Sequence, residues 1–292
     1  MICDLCPRRC GALRDESRGT GRCAMPETPV LARAALHFWE EPSVSGTRGS
    51  GTVFFSGCPL GCVYCQNVEI SRDNFGRAVT EARLKASCDE LIDQGAHNIN
   101  FVTPTHYAHV VLRLLERHPL PVPAVWNSSG YERVETLRAL DGKIQIYLPD
   151  FKYPDGSGAS RYSGAPDYPD VAAAAIREMV RQTGPYALDG DGVMKRGVII
   201  RHLLLPGRLD AAKAVMDWVA REFAPDTVLF SLMSQYAPWG RAGEFPEIAR
   251  PVRPAEARAA RQYMENLGLA GFTQDASSAS RDYTPAFDLT GI

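Results

Sequence analysis

A chain of 292 residues with 45% hydrophobic content can bury a sizeable core, a length that suits one large α/β domain or two small ones. A formal net charge of −2 and a pI near 6.3 give no electrostatic case for nucleic acid or an anionic membrane as partner. There is no apolar run of about 18 residues, which excludes an ordinary spanning helix. The opening segment MICDLCPRRC has no apolar core of signal-peptide type, so the expected location is cytoplasmic.

The first thirty residues stand apart by composition. They hold Cys3, Cys6, Cys10 and Cys23 together with Gly11, Gly19 and Gly21, and we expect residues 1–30 to form a small cysteine-rich module. Thr52-Val53-Phe54-Phe55 then predicts a strand, which leads into the stretch GCPLGCVYCQN. Glu81 to Gly95 predicts a helix with Leu84, Cys88, Leu91 and Ile92 on one face. Asn98 to Val102 predicts a second strand and Tyr107 to Arg117 a second helix. The alternation continues with Ala124-Val125-Trp126 (strand), Glu132 to Leu140 (helix), Lys143 to Leu148 (strand) and Val171 to Gln182 (helix). It ends with strand Val198 to Leu205, helix Ala211 to Phe223 and strand Thr227 to Leu232.

Repeated β-then-α order argues for a parallel sheet covered by helices, and six such units make a partial barrel rather than an eightfold one. The expected fold class is therefore α/β, a partial (β/α)6 barrel over residues 50–240, with residues 241–292 forming a C-terminal loop, helix and tail packed on it. Tyr153 to Pro169, Thr183 to Arg196 and Tyr236 to Pro254 are rich in Gly, Pro, Ser or Asp without periodicity, and predict inserted loops. Ligand sites in such sheets gather at the carboxyl ends of the strands. Here those ends read SGCPLGCVYC, VTPTHY, WNSSGY, LPDFKYPDG, RHLLLPG and SLMSQYAPWG.

Seven of the eight cysteines fall in two clusters, which in a chain of this size points to metal or redox ligands rather than disulfides. Cys58, Cys62 and Cys65 lie at spacing C-x3-C-x2-C just past the first predicted strand. Iron–sulfur clusters are held by cysteine thiolates, and three ligands on a four-iron cubane leave one iron open for chemistry. Cys88, on the apolar face of a predicted helix, reads as core.

The C-x3-C-x2-C spacing, with Tyr64 before the last cysteine, resembles the radical S-adenosylmethionine (SAM) superfamily. WNSSGY, PDFKY and RHLLLPG further resemble strand ends of the pyruvate formate-lyase activating enzymes, the activases of glycyl radical enzymes, in a branch with a cysteine-rich N-terminus. The resemblance spans roughly residues 50 to 240. It implies a [4Fe-4S] cluster on Cys58, Cys62 and Cys65, with SAM chelating the open iron. It also implies an oxidoreductase that cleaves SAM to methionine and a 5′-deoxyadenosyl radical, which abstracts hydrogen from a substrate. Tyr64 would approach the adenine by backbone contact or stacking; Asn127, Ser128 and Ser129 match a SAM-binding motif. Asp150 and Lys152 match an Asp-x-Lys motif, and Lys152 stands out because only five of the 32 basic residues are lysines. Arg201 matches an arginine that stabilises SAM or the forming methionine, while His202 would point to the other side of the strand and serve structure.

Two departures accompany the likeness. A glycine-rich motif that usually ends the second strand is replaced by VTPTHY, where Thr103, Thr105 or backbone carbonyls are the alternatives for binding the SAM ammonium. An acid expected on the third strand is Asn127 here, which puts a family cation site in doubt.

Cys3-x2-Cys6-x3-Cys10-x12-Cys23 supplies four thiols, enough for structural zinc or for a second, fully ligated iron–sulfur cluster. The leading expectation for function is activation of a partner glycyl radical enzyme, with flavodoxin or ferredoxin as one-electron donor. Radical modification of a small molecule or peptide, with the N-terminal metal as an auxiliary site, is the alternative. A non-catalytic iron–sulfur electron carrier is the second, and three cysteines instead of four argue against it.

Overall fold

The computed structural model describes residues 1–274 and 285–292. Among these described residues twelve strands run in chain order: β1 (Ile2–Cys3), β2 (Ala12–Leu13), β3 (Val30–His37), β4 (Ser50–Phe55), β5 (Arg77–Ala78), β6 (Ile99–Val102), β7 (Ala124–Ser128), β8 (Ile146–Pro149), β9 (Ala187–Leu188), β10 (Met194–Leu203), β11 (Leu229–Met233) and β12 (Gly271–Thr273). The helices are α1 (Pro42–Ser45), α2 (Val68–Ser71), α3 (Glu81–Asp93), α4 (Ala108–Arg117), α5 (Val134–Ala139), α6 (Gly156–Ser163), α7 (Tyr168–Thr183), α8 (Leu209–Glu222) and α9 (Pro254–Asn266).

The central sheet has the order β12-β11-β10-β8-β7-β6-β4-β3-β5. From β4 to β12 every neighbouring pair is parallel, and β3 and β5 close the other edge antiparallel. The six expected strands are β4, β6, β7, β8, β10 and β11, in their expected order, and the fold is the α/β partial barrel read from the sequence. The sheet also reaches beyond residues 50–240, because β3 and β12 belong to it.

Side-chain alternation along the strands explains both faces. Trp126, Tyr147, Val198, Ile200, Phe230 and Leu232 point to the helix side and join the main core. The opposite parity carries Val125, Ile146, Leu148, Ile199 and Leu229, which pack with Val44 and Met194 into a separate apolar layer. One step further along the same face come Asn127, Asp150, Arg201 and Ser231, all lining one cavity. The concave face thus has an apolar floor and a polar level above it.

Three differences from the sequence reading have physical reasons. The sequence pattern predicts no element at β3: its residues VLARAALH are mostly good helix formers, but the chain instead pairs antiparallel with β4 from His37↔Ser50 to Leu31↔Phe55. The stretch 153–169, expected to be a loop, contains α6. Its Gly/Ser-rich sequence is held by Asp155, which accepts from the Gly158 N–H at 2.8 Å as N-cap, and by Gly164 at φ 56° as C-cap. The stretch 183–196 holds β9, which pairs with β10.

At the C-terminus α9 packs on α8, with Tyr263 donating to Asp217 at 2.7 Å. The last residues run beside β3, where Leu289 N–H donates to Ala32 O at 3.1 Å. The part of the expected tail at 275–284 lies outside the described residues. Among the described residues no helix is long and apolar enough to cross a membrane.

Candidate functional site

A cavity of about 890 Å³ opens at the carboxyl ends of the parallel strands. It falls within the range of about 300–1,000 Å³ usual for small-molecule and cofactor sites. Strand ends from β4 across to β12 contribute to its wall, so the sheet curves around it.

Cys58, Cys62 and Cys65 line one end of this cavity as free thiols. Each is served by hydrogen-bond donors: Cys58 by the backbone of Leu60 and Gly61, Cys62 by the Ser163 hydroxyl at 3.2 Å, and Cys65 by the Ser71 hydroxyl at 3.3 Å and the backbone of Asn67. Burial, followed by the neighbouring Cys65 and Cys62, pushes the Cys58 thiol up to about 12. A buried thiol set with donors aimed at it is stabilised as thiolate when a cation takes the place of its protons. Three soft donors on one short loop fit a cubane cluster held by three cysteines.

The same cavity holds a network of buried charges, of which Lys152 is near enough to Cys62 and Cys65 to feel their charge. Arg201 Nε donates to Asp150 Oδ1 at 3.0 Å, and Lys152 Nζ to Asp150 Oδ2 at 2.6 Å. Arg201 Nη2 reaches Asn127 Oδ1 at 2.6 Å, and Nη1 reaches Glu40 Oε2 at 3.4 Å. Glu40 Oε1 also accepts from Asn127 at 3.1 Å and from Asn100 at 3.3 Å. Burial works against a charge on Asp150, but Arg201 and Lys152 outweigh it and hold the carboxyl below its usual range. For Glu40 and Glu41 burial wins over Arg201, and both are raised. Glu41 lies beside Arg201 and Ser231, and its Oε2 has no hydrogen-bond partner among the described residues.

Glu40 and Glu41 come from the segment between β3 and β4, which the sequence reading left unassigned. Two adjacent acids ahead of a proline carry no spacing signal; only their burial under the sheet reveals them.

The structure brings most of the expected cofactor contacts to this wall. Tyr64, Thr103, Asn127, Ser128, Ser129, Asp150, Lys152 and Arg201 all line the cavity. Thr103 takes a left-handed φ of 57°, a conformation that favours glycine, at the place where the glycine-rich motif is missing. Thr105 is not brought to the cavity: it is buried, and its hydroxyl donates to Glu132 Oε1 at 2.6 Å. The Tyr64 ring packs against Tyr153, Tyr162 and Tyr236, and its hydroxyl donates to Tyr153 at 2.8 Å, which leaves backbone contact as its route to a cofactor. His202 sits on the other face with Nδ1 at 2.7 Å from Phe151 O, and burial lowers it to about 4. Cys88 is fully buried in the core.

The N-terminal module is seated directly on the thiol loop. Its β1 and β2 pair antiparallel, with Cys3 opposite Ala12. Arg8 donates through Nε to Pro59 O at 2.9 Å and through Nη2 to Leu60 O at 3.0 Å and Ser163 O at 2.8 Å. Gly57, at φ +82°, admits Met25: an added Cβ would stand 2.3 Å from Met25 Cγ. Burial, and after it charge on Cys23, Cys3 and Cys10, raises Cys6 to about 12, so the four thiols share one electrostatic neighbourhood. Gly21 leaves room for Cys10, whose Sγ would be 2.9 Å from a Cβ there. Among the described residues no group of three or more Cys, His, Asp or Glu side chains is placed as the ligands of a single metal ion.

A family profile described as a 4Fe-4S single cluster domain matches residues 44–148, which include the three-thiol loop. An uncharacterized protein of Methanocaldococcus jannaschii is 29% identical over 276 residues, covering 91% of this chain and 75% of that protein. Among solved structures, a radical SAM methyltransferase from Sphaerobacter thermophilus superposes with TM-score 0.53 at 17% identity, over 79% of this chain and 69% of that one. SuiB from Streptococcus suis, bound to S-adenosylmethionine, superposes with TM-score 0.50 at 14% identity, over 75% of this chain and 45% of that one. These likenesses show a shared fold.

Proposed function

We propose that this chain, which has the fold of radical SAM enzymes, holds a [4Fe-4S] cluster on Cys58, Cys62 and Cys65 and reductively cleaves S-adenosylmethionine. The observation that carries the reading is convergence: the three thiols share one cavity with Asn127, Asp150, Lys152 and Arg201, delivered by the ends of four different strands, β4, β7, β8 and β10. When bound, the cluster supplies one electron from an external donor, and cleavage of SAM to methionine yields a 5′-deoxyadenosyl radical that takes a hydrogen atom from substrate.

The chain's residues divide the remaining work. Lys152 and Arg201 present buried cations that suit a carboxylate, with Asp150 holding both in place. The left-handed turn at Thr103 and the polar ends of Asn127, Ser128 and Ser129 suit the ammonium and ribose. Burial keeps competing water away from these groups.

For the substrate, the reading is activation of a partner glycyl radical enzyme, with flavodoxin or ferredoxin as electron donor. Its support is that WNSSGY, PDFKY and RHLLLPG, the segments that resemble the activases, each contribute residues to the cavity wall. A second reading, radical modification of a small molecule or peptide with zinc or a second cluster on Cys3, Cys6, Cys10 and Cys23, is favoured by the direct seating of that module on the thiol loop.

Oxygen-free protein given a strong one-electron reductant and SAM should release 5′-deoxyadenosine, and Cys62→Ala should release none. A glycyl radical signal on a co-incubated partner supports the first substrate reading. Turnover of a peptide or metabolite without any partner supports the second. No SAM cleavage by the iron-loaded protein would leave the electron carrier as the better description.

A further inference from the structure

We infer that Ser163 and Tyr153 are positioning residues that set the reduction potential of the cluster through the sulfur of Cys62, an inference that rests on the cluster reading above. The observation is an unbroken run of hydroxyls ending at that sulfur. Tyr64 donates to Tyr153 at 2.8 Å, Tyr153 and Ser163 lie 2.7 Å apart, and Ser163 donates to Cys62 Sγ at 3.2 Å.

Each hydroxyl has one proton to give, and a metal-bound thiolate can only accept. Ser163 gives its proton to Cys62 in this arrangement, and the Tyr153 hydroxyl lies within reach of the same sulfur. Tyr64 donates to Tyr153, whose own proton goes either to Ser163 or to the sulfur directly. By either route the hydroxyl protons are directed toward the sulfur, and a chain of hydrogen bonds so aligned polarises each member. A hydrogen bond to a ligating sulfur disperses the negative charge that builds up on reduction, which favours the reduced cluster.

The arrangement is built. Tyr64 and Tyr153 are buried, with their rings 6.4 Å apart, and Tyr162 and Tyr168 pack against Tyr153 at 6.3 and 5.3 Å. Ser163 is itself buried on the last turn of α6, and its backbone carbonyl is gripped by Arg8 from the N-terminal module at 2.8 Å. The serine that touches Cys62 is thereby held from both sides. None of this could be read from the three-cysteine motif, because Ser163 lies a hundred residues further along the chain, in a segment without periodicity.

The test is a redox titration of the full chain, cluster-loaded without oxygen, followed by the electron paramagnetic resonance signal of the reduced cluster. Ser163→Ala should move the midpoint to more negative potential. Tyr153→Phe, which keeps the ring packing, should move it the same way by a smaller step. Thermal unfolding and iron content recorded beside it identify a merely structural role, which would lower either one and leave the potential in place. A loaded wild type whose midpoint is unchanged in both variants overturns the relay alone. A wild type that takes up no four-iron cluster overturns the underlying reading and the relay with it.

Discussion

Glu40 and Arg201 meet on the concave face of the sheet, 3.4 Å apart, although 161 residues separate them in the chain. Both side chains are about nine-tenths buried, at 10% and 12% exposure. The pair joins the unassigned segment after β3 to the strand end that resembles a SAM-binding arginine. Removing one member of a buried pair leaves an uncompensated charge, although Asp150 remains on Arg201 here. Glu40→Ala should therefore cost about 1–3 kcal/mol, and Glu40→Gln less because it keeps one acceptor for Asn127. Urea unfolding midpoints of the two variants measure the difference.

Arg8 ties the N-terminal module to the thiol loop through the carbonyls of Pro59 and Leu60 and to α6 through Ser163 O, and its guanidinium lies 5.3 Å over the Tyr131 ring. Glutamine cannot span these acceptors. Arg8→Gln should lower thermal stability, by about 2–3 kcal/mol if two charge-assisted bonds are lost, and should reduce iron retained per chain after desalting.

Gly57→Ala combines a forced left-handed residue with a clash against Met25, so it should lift the module from the loop. Limited proteolysis would then cut near residues 20–30 faster than in the wild-type chain. An unchanged digestion pattern would show that the seating of Met25 is not needed to hold the module.

Glu132 gives the fold a pH dependence that can be isolated. It is buried and held by Thr105 and by Trp126 Nε1 at 3.2 Å, and burial raises its carboxyl from the ordinary 4.5 to about 7. Below 4.5 both folded and unfolded chains carry the proton and its stabilising effect is fully present. Between 4.5 and 7 the folded chain keeps a proton that the unfolded chain has released, so stability falls as pH rises. The difference amounts to on the order of 3 kcal/mol by pH 8. Glu132→Gln should remove that slope, which unfolding curves at pH 5 and pH 8 will reveal.

What the sequence made legible follows from burial. The six parallel strands are covered on both faces, so each appears as a short apolar run, as in Val53-Phe54-Phe55 and Leu229–Met233. β3 and α6 are hidden for opposite reasons: one is a strand written in helix formers, the other a helix written in Gly and Ser and fixed by its caps. The three thiols are legible because ligands on one loop keep their spacing in the chain. Glu40, Glu41 and Ser163 are not, since tertiary folding alone brings them to the cavity and to Cys62. By sequence Thr105 is an alternative to Thr103 for the ammonium, but the left-handed turn at Thr103 sends the chain into a 3-10 turn that carries Thr105 to Glu132.

The most direct measurement is iron and acid-labile sulfide content of the oxygen-free protein, compared with a Cys58→Ala/Cys62→Ala/Cys65→Ala variant and a Cys3→Ser/Cys10→Ser variant, with zinc measured in parallel. The account predicts about four irons lost specifically from the first variant, with any zinc or further iron lost from the second. A wild-type chain without iron, or iron that survives removal of all three loop thiols, would contradict it.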